Sequence, residues 1–223
     1  MTLVELTTAL RQQAEPRYRA FAASLIPGED DLMGVRLPTL RKLAKQAAAK
    51  NWRQLFDELQ SVSCMELVML RGMLPGYAPA APLSERMDAL AEFVPTIRNW
   101  SICDSCCATY RFVREQRTAT LDFLRPYLSS QAEYGARFGV VMLLNHFVTE
   151  LTWAETVAAL LPQVSCPAHY ARMAVAWCAC ELYLLHPHIA AELLPRLSPP
   201  VQDLTLRKIR ESRRKPAHAF IPK

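Results

Sequence analysis

Leu37-Pro-Thr-Leu-Arg-Lys-Leu-Ala-Lys-Gln-Ala-Ala-Ala-Lys-Asn-Trp-Arg-Gln-Leu-Phe-Asp-Glu-Leu59 carries two apolar stripes with one break between them. Leu40, Leu43 and Ala47 recur every three to four residues, and Trp52, Leu55, Phe56 and Leu59 do so again. Pro38 falls where a first helical turn has no N–H to lose. Asn51 stands between the stripes. Its side chain can accept from a helix N–H, so it is the predicted N-cap of the second helix. A link this short turns the second helix back along the first. The stretch predicts an antiparallel helix pair.

The same pattern extends in both directions. Leu3, Leu6 and Leu10 form a stripe near the start. Further helices are predicted at roughly 63–77, 83–93, 99–113, 118–128, 131–148, 153–161, 168–185, 188–194 and 200–213. Pro16, Pro38, Pro82, Pro167 and Pro187 precede or open these stretches and so punctuate the pattern. Only 6 of the 223 residues are glycine, and no Asn-Gly or Asp-Gly pair occurs, which argues against hairpin-rich β folds. Neither GxGxxG nor GxxxxGK[ST] is present. Hydrophobic residues at 51 % and charged residues at 21 % describe a chain with a proper core. No apolar run reaches the ~18 residues of a membrane span, and Met1–Leu10 holds Glu5 without Lys or Arg, unlike a signal peptide. A cytoplasmic monomer with no membrane partner is expected.

Trp100, Arg137 and Trp177 lie 37 and 40 residues apart, each on its own predicted helix. HEAT-type helical repeats have periods of about 40 residues. The expectation is an all-α fold, a superhelical stack of antiparallel helix pairs forming one helical-repeat domain over 1–223. An irregular helical bundle is the alternative.

Charge is unevenly placed. Residues 207–223 hold Arg207, Lys208, Arg210, Arg213, Arg214, Lys215 and Lys223 against Glu211 alone, so this segment carries +6 and the remainder −1. Such a basic segment suits a polyanion, though a solvated helix end has the same composition. The seven cysteines, Cys64, Cys103, Cys106, Cys107, Cys166, Cys178 and Cys180, are expected reduced. Several fall within helical patterns, where cysteine acts as a small buried apolar residue, so no metal is expected. His146, His169, His186, His188 and His218 share no metal spacing. Met65, Met69 and Met73 read as a core stripe.

One segment has an unexpected composition. In Asn99-Trp-Ser-Ile-Cys-Asp104, Asn99 is a predicted N-cap. Trp100, Asp104 and Arg111 then share a helix face, opposite an apolar face of Ile102, Cys106, Tyr110 and Val113. An aromatic, an acid and a base together suit ligand binding. A half-buried Trp beside an Asp paired with Arg111 or Arg137 is the structural alternative.

Five segments taken together resemble the DNA alkylation repair protein family, the AlkD-like glycosylases built from HEAT-like repeats. They are Met33–Lys45, Asn99–Asp104, Arg137–Leu144, Tyr170–Trp177 and Arg207–Arg213. The resemblance implies a monofunctional alkylpurine DNA glycosylase needing no cofactor, with double-stranded DNA carrying alkylated bases as partner. Its substrates are cationic N-alkylated purines such as 3-methyladenine and 7-methylguanine. It implies Asp104 as the catalytic carboxylate, Trp100, Trp177 and Tyr18 as substrate contacts, and Arg137 as a phosphate contact. Arg111, Arg213, Arg214 and Lys215 are further phosphate-binding candidates. Where the glycosylases have a second aromatic beside the first Trp, this chain has Asn99 and Ser101. The alternative function is a non-catalytic HEAT-like module that binds DNA or protein.

Overall fold

The computed structural model describes residues 1–216, so His218 and Lys223 lie outside the described residues. Among these residues there are thirteen α-helices, five short 3-10 turns and no strand. The helices are α1 (Leu3–Gln12), α2 (Pro16–Leu25), α3 (Leu37–Ala48), α4 (Trp52–Glu58), α5 (Met65–Tyr77), α6 (Leu83–Phe93) and α7 (Trp100–Cys107). There follow α8 (Arg117–Leu128), α9 (Glu133–His146), α10 (Leu151–Leu160), α11 (His169–Leu185), α12 (Pro187–Leu193) and α13 (Pro199–Glu211). The fold class is all-α, as the periodicity predicts. No helix among the described residues is long and apolar enough to cross a membrane.

The chain divides into two compact units, Met1–Arg111 and Phe112–Lys223. In the first, α3, α5 and α7 pack side by side, while α4 and α6 lie against α5. In the second, α9, α11 and α13 form such a row, with α8 against α9 and α12 against α11. Alternate helices form a row and the intervening ones cover it, which is the packing expected of helix-pair repeats. The row helices begin at residues 37, 65, 100, 133, 169 and 199. Trp100 is therefore the first residue of its helix, Arg137 the fifth and Trp177 the ninth. Spacings of 37 and 40 exceed the helix-to-helix interval. The three residues thus sit one turn further along in each successive helix, not at equivalent positions.

Proline opens α2, α3, α12 and α13 and stands at the N-cap of α6. Pro75 and Pro126 break the rule, each lying in the last turn of its helix. At and beyond the end of α5, where carbonyls have no helix N–H to accept from, Arg86 takes its place: its guanidinium donates to the carbonyls of Pro75 (3.0 Å), Ala78 (2.6 Å) and Ala81 (3.0 Å). Asn51 occupies its N-cap position, but its amide donates to Gln54 Oε1 at 2.7 Å instead of capping.

At the centre of the first unit, every residue of α5 from Met65 to Pro75 is buried, the methionine stripe included. Two of these residues are charged. The Glu66 carboxylate accepts the backbone N–H groups of Met33, Gly34 and Val35 at 2.9, 2.7 and 3.2 Å, so a buried charge is solvated by peptide dipoles. Gly34 has φ +88°, and a Cβ there would lie 2.6 Å from Arg19 Cβ; only glycine fits. The Arg71 guanidinium lies 4.1 Å over the Phe56 ring and donates from Nε to the Phe56 carbonyl.

Gly72 lets α5 meet its neighbours closely. A Cβ there would stand 2.6 Å from Cys106 Sγ and closer still to the Phe93 ring. The Gly72 carbonyl also accepts from the Tyr110 hydroxyl at 2.7 Å. Gly72→Ala on an ordinary helix would stabilise by about 1 kcal/mol. Here overpacking outweighs that gain, and urea unfolding should show a net loss of about 1–3 kcal/mol. A stabilised Gly72→Ala variant would refute the close approach.

Candidate functional site

The first turn of α7 is held from both sides. Asn99 Oδ1 accepts the Ile102 N–H at 2.9 Å, the predicted cap. Asn99 Nδ2 donates to Glu29 Oε2 at 2.7 Å. Arg98 donates to both Glu29 oxygens, at 2.9 and 3.0 Å, and to the Ser63 carbonyl at 2.6 Å. Glu29 is only 7 % exposed, so this carboxylate is a nearly closed anchor point. Trp100 Nε1 donates to the Leu25 carbonyl at 3.3 Å, which ties the indole to the end of α2. Asn99 thus serves the backbone on one side and Glu29 on the other.

Ile102, Cys103, Cys106 and Cys107 are fully buried. The partly exposed residues of α7 are Trp100, Ser101, Asp104 and Ser105, so Trp100 and Asp104 do share the open face. Arg111 does not. The helix ends at Cys107, where Thr109 donates both its N–H and its hydroxyl to the Cys106 carbonyl, at 2.9 and 2.7 Å. Arg111 instead opens a 3-10 turn, Arg111–Glu115, and is exposed there. The predicted helix over 99–113 is therefore shorter, although Tyr110 and Val113 are core residues as expected.

A cleft of about 230 Å³ opens beside Trp100. Tyr18, Phe21, Leu25, Ser101 and Ser105 share its lining, with Glu66. The structure thus brings Tyr18 and Trp100 to one cleft. Asp104 is not part of its wall. The Arg36 guanidinium covers the Tyr18 ring at 4.9 Å and pairs with Glu15 at 2.8 and 2.9 Å. That ion pair lowers the Glu15 carboxyl's pKa, chiefly through the hydrogen bond.

In the second unit Arg137 is only 5 % exposed. Its Nη1 donates to the Tyr170 carbonyl at 2.8 Å, and its guanidinium lies 6.0 Å from the Tyr170 ring centre. Glu133 Oε1 accepts the Tyr170 N–H at 2.7 Å, so the start of α11 is fixed by an acid and a base from α9. The Tyr170 ring stacks on Tyr134 at 5.9 Å. Sequence reasoning missed Glu29, Glu133 and Tyr134, whose partners lie far away in the chain. Along α11 the partly exposed stripe runs through Tyr170, Met173, Trp177 and Glu181. Arg214 is not a bare cation, since it pairs with Glu181 at 2.7 Å. Arg213 and Lys215 are exposed.

All seven cysteines are buried, and none is in a disulfide. Burial pushes up the thiols of Cys106, Cys107, Cys178 and Cys180, and that of Cys64 to about 11. Thiols held protonated are poor nucleophiles and poor metal ligands. Among the described residues, no three His, Cys, Asp or Glu side chains group as a metal would require.

Residues 6–182 match the family model described as DNA alkylation repair enzyme. The matched span includes Tyr18, Trp100, Asp104, Arg137 and Trp177 and stops before the basic segment. No match was found among curated proteins.

Glu29 carries the anchoring of α7. Glu29→Ala removes the acceptor of the Asn99 amide and leaves the Arg98 guanidinium only the Ser63 carbonyl. Denaturant unfolding should lose about 2–3 kcal/mol. Unchanged stability would show that α7 is held by packing alone.

Proposed function

We propose that this chain, which belongs to the DNA alkylation repair enzyme family, is a monofunctional glycosylase for cationic N-alkylated purines in duplex DNA. Family membership supports a role in DNA repair with DNA as partner. The observation that carries the finer reading is the open face of α7. It presents an aromatic and, one turn on, a carboxylate, on a helix whose first turn is locked by Asn99 and Glu29.

The chemistry asks for little more. Alkylation at a ring nitrogen makes 3-methyladenine or 7-methylguanine a cation, so the base departs neutral without protonation. As the C1′–N bond breaks, its electron pair leaves with the base and positive charge grows on the sugar. The Asp104 carboxylate stabilises that charge and orients a water. The water oxygen bonds to C1′, and its proton passes to Asp104 or to solvent. Trp100 offers a π face to the cationic nucleotide, and Tyr18 shares its cleft. In this reading the second unit contributes Trp177 as a further aromatic contact and Arg137 as a phosphate contact beside Tyr170. Arg111, Arg213, Arg214 and Lys215 supply charge toward the backbone. The proposed enzyme is a cytoplasmic monomer and uses no cofactor.

A second reading, a non-catalytic helical module that binds DNA or protein, is favoured by one observation. Arg137 is almost closed off, with a donor committed to Tyr170.

Asp104→Asn separates the two readings, since it keeps the shape and removes the charge. Single-turnover excision from a duplex with one defined lesion should fall about 100- to 1,000-fold, with duplex affinity little changed. Trp177→Ala should chiefly weaken discrimination between lesion and normal duplex. Excision by folded Asp104→Asn at the wild-type rate would remove Asp104 from catalysis.

A further inference from the structure

Four residues after Trp100 stands Asp104, and four residues after Trp177 stands Glu181. The α11 pair repeats the α7 pair: an aromatic and then, one helical turn on, a carboxylate. Each pair lies on the partly exposed stripe of its helix. The α11 carboxylate already holds a cation. Arg214 Nη1 donates to both Glu181 oxygens, at 2.7 and 3.0 Å, with the arginine side chain 57 % exposed and the glutamate 20 %.

We propose that Trp177 and Glu181 form a second cation-recognition site. Arg214 fills it in the free protein, and the cationic base of an alkylated nucleotide fills it in the complex. The proposal rests on the glycosylase reading above and adds Glu181 as a specificity-determining residue.

Two physical points support the exchange. An ion pair reaching an exposed arginine is weak and is given up at little cost. The exchange also conserves charge. The incoming base brings a positive charge to the Glu181 carboxylate, and the released guanidinium takes a backbone phosphate, a stronger and bidentate partner. A neutral purine cannot replace the guanidinium without leaving Glu181 uncompensated. With undamaged DNA, Arg214 therefore stays where it is. The aromatic alone would stack any base; the carboxylate is what distinguishes a charged one.

The test compares equilibrium binding of the full chain, on ice, to a duplex containing 7-methylguanine and to the same duplex unmodified. Glu181→Gln should reduce the preference for the lesion about five-fold, without weakening affinity for the unmodified duplex. Arg214→Ala, which lies beyond the last helix, should leave affinity for the unmodified duplex little changed, since Arg214 stays on Glu181 there, and should keep part of the preference, since Glu181 still meets the cationic base. A preference unchanged in Glu181→Gln would overturn the proposal. So would its loss in Arg214→Ala, which would make the pair a structural tie. Wild-type protein that binds both duplexes equally would overturn it too, whereas failure to release the base from the same duplex on warming would contradict the glycosylase reading.

Discussion

The Glu29 carboxylate is the point on which the candidate site depends. It is 7 % exposed and lies 70 residues from Asn99 in the chain, yet it fixes the residue that caps α7. Arg98 supplies the opposite charge and Asn99 a neutral donor, so the carboxylate is paired and hydrogen-bonded where water is largely excluded. The consequence is directional. With the first turn of α7 held, Ile102 and the three cysteines point into the core, and the face left over is Trp100, Ser101, Asp104 and Ser105. A helix with one end tied and one face buried has no freedom to rotate, so an aromatic and a carboxylate stay on the open side.

The second unit solves a similar problem with different residues. Glu133 and Arg137, one turn apart on α9, take the N–H and the carbonyl of Tyr170. An acid on a helix-start N–H and a base on a carbonyl both follow the polarity of the peptide group. This ties the start of α11, the helix that carries Trp177. In each unit, then, a buried charged group, Glu29 in the first and Arg137 in the second, helps position a helix, while the aromatic residue proposed to meet DNA sits on that helix's open stripe.

Much of this was legible in the sequence, and the misses have physical causes. Helix existence followed from apolar spacing, and Asn99 was legible as a cap because its reach is three residues. Asn51 was the same residue type in the same place, but Gln54 competed for its amide. The end of α7 was hidden because Ala108, Thr109 and Tyr110 suit a helix. What ends it is Thr109 bonding back to Cys106 and the Tyr110 hydroxyl reaching Gly72, the latter a contact 38 residues distant. The spacing of Trp100, Arg137 and Trp177 found the correct helices but overstated their equivalence, since each residue lies a turn further along. The Glu181–Arg214 pair spans 33 residues and left no local signal. Tyr18 entered through the family resemblance alone, because the cleft it shares with Trp100 joins residues far apart in the chain.

The activity proposed for this protein is cleavage of the bond between an alkylated purine and its sugar. Purified full-length protein incubated with methylated duplex DNA, followed by chromatography of the free bases, tests it directly. The expected result is time-dependent release of 3-methyladenine or 7-methylguanine in proportion to protein, leaving abasic sites in unbroken strands and unaffected by chelator. Duplex that is bound while no free base appears above the spontaneous level would contradict it, and would make the chain a binding module.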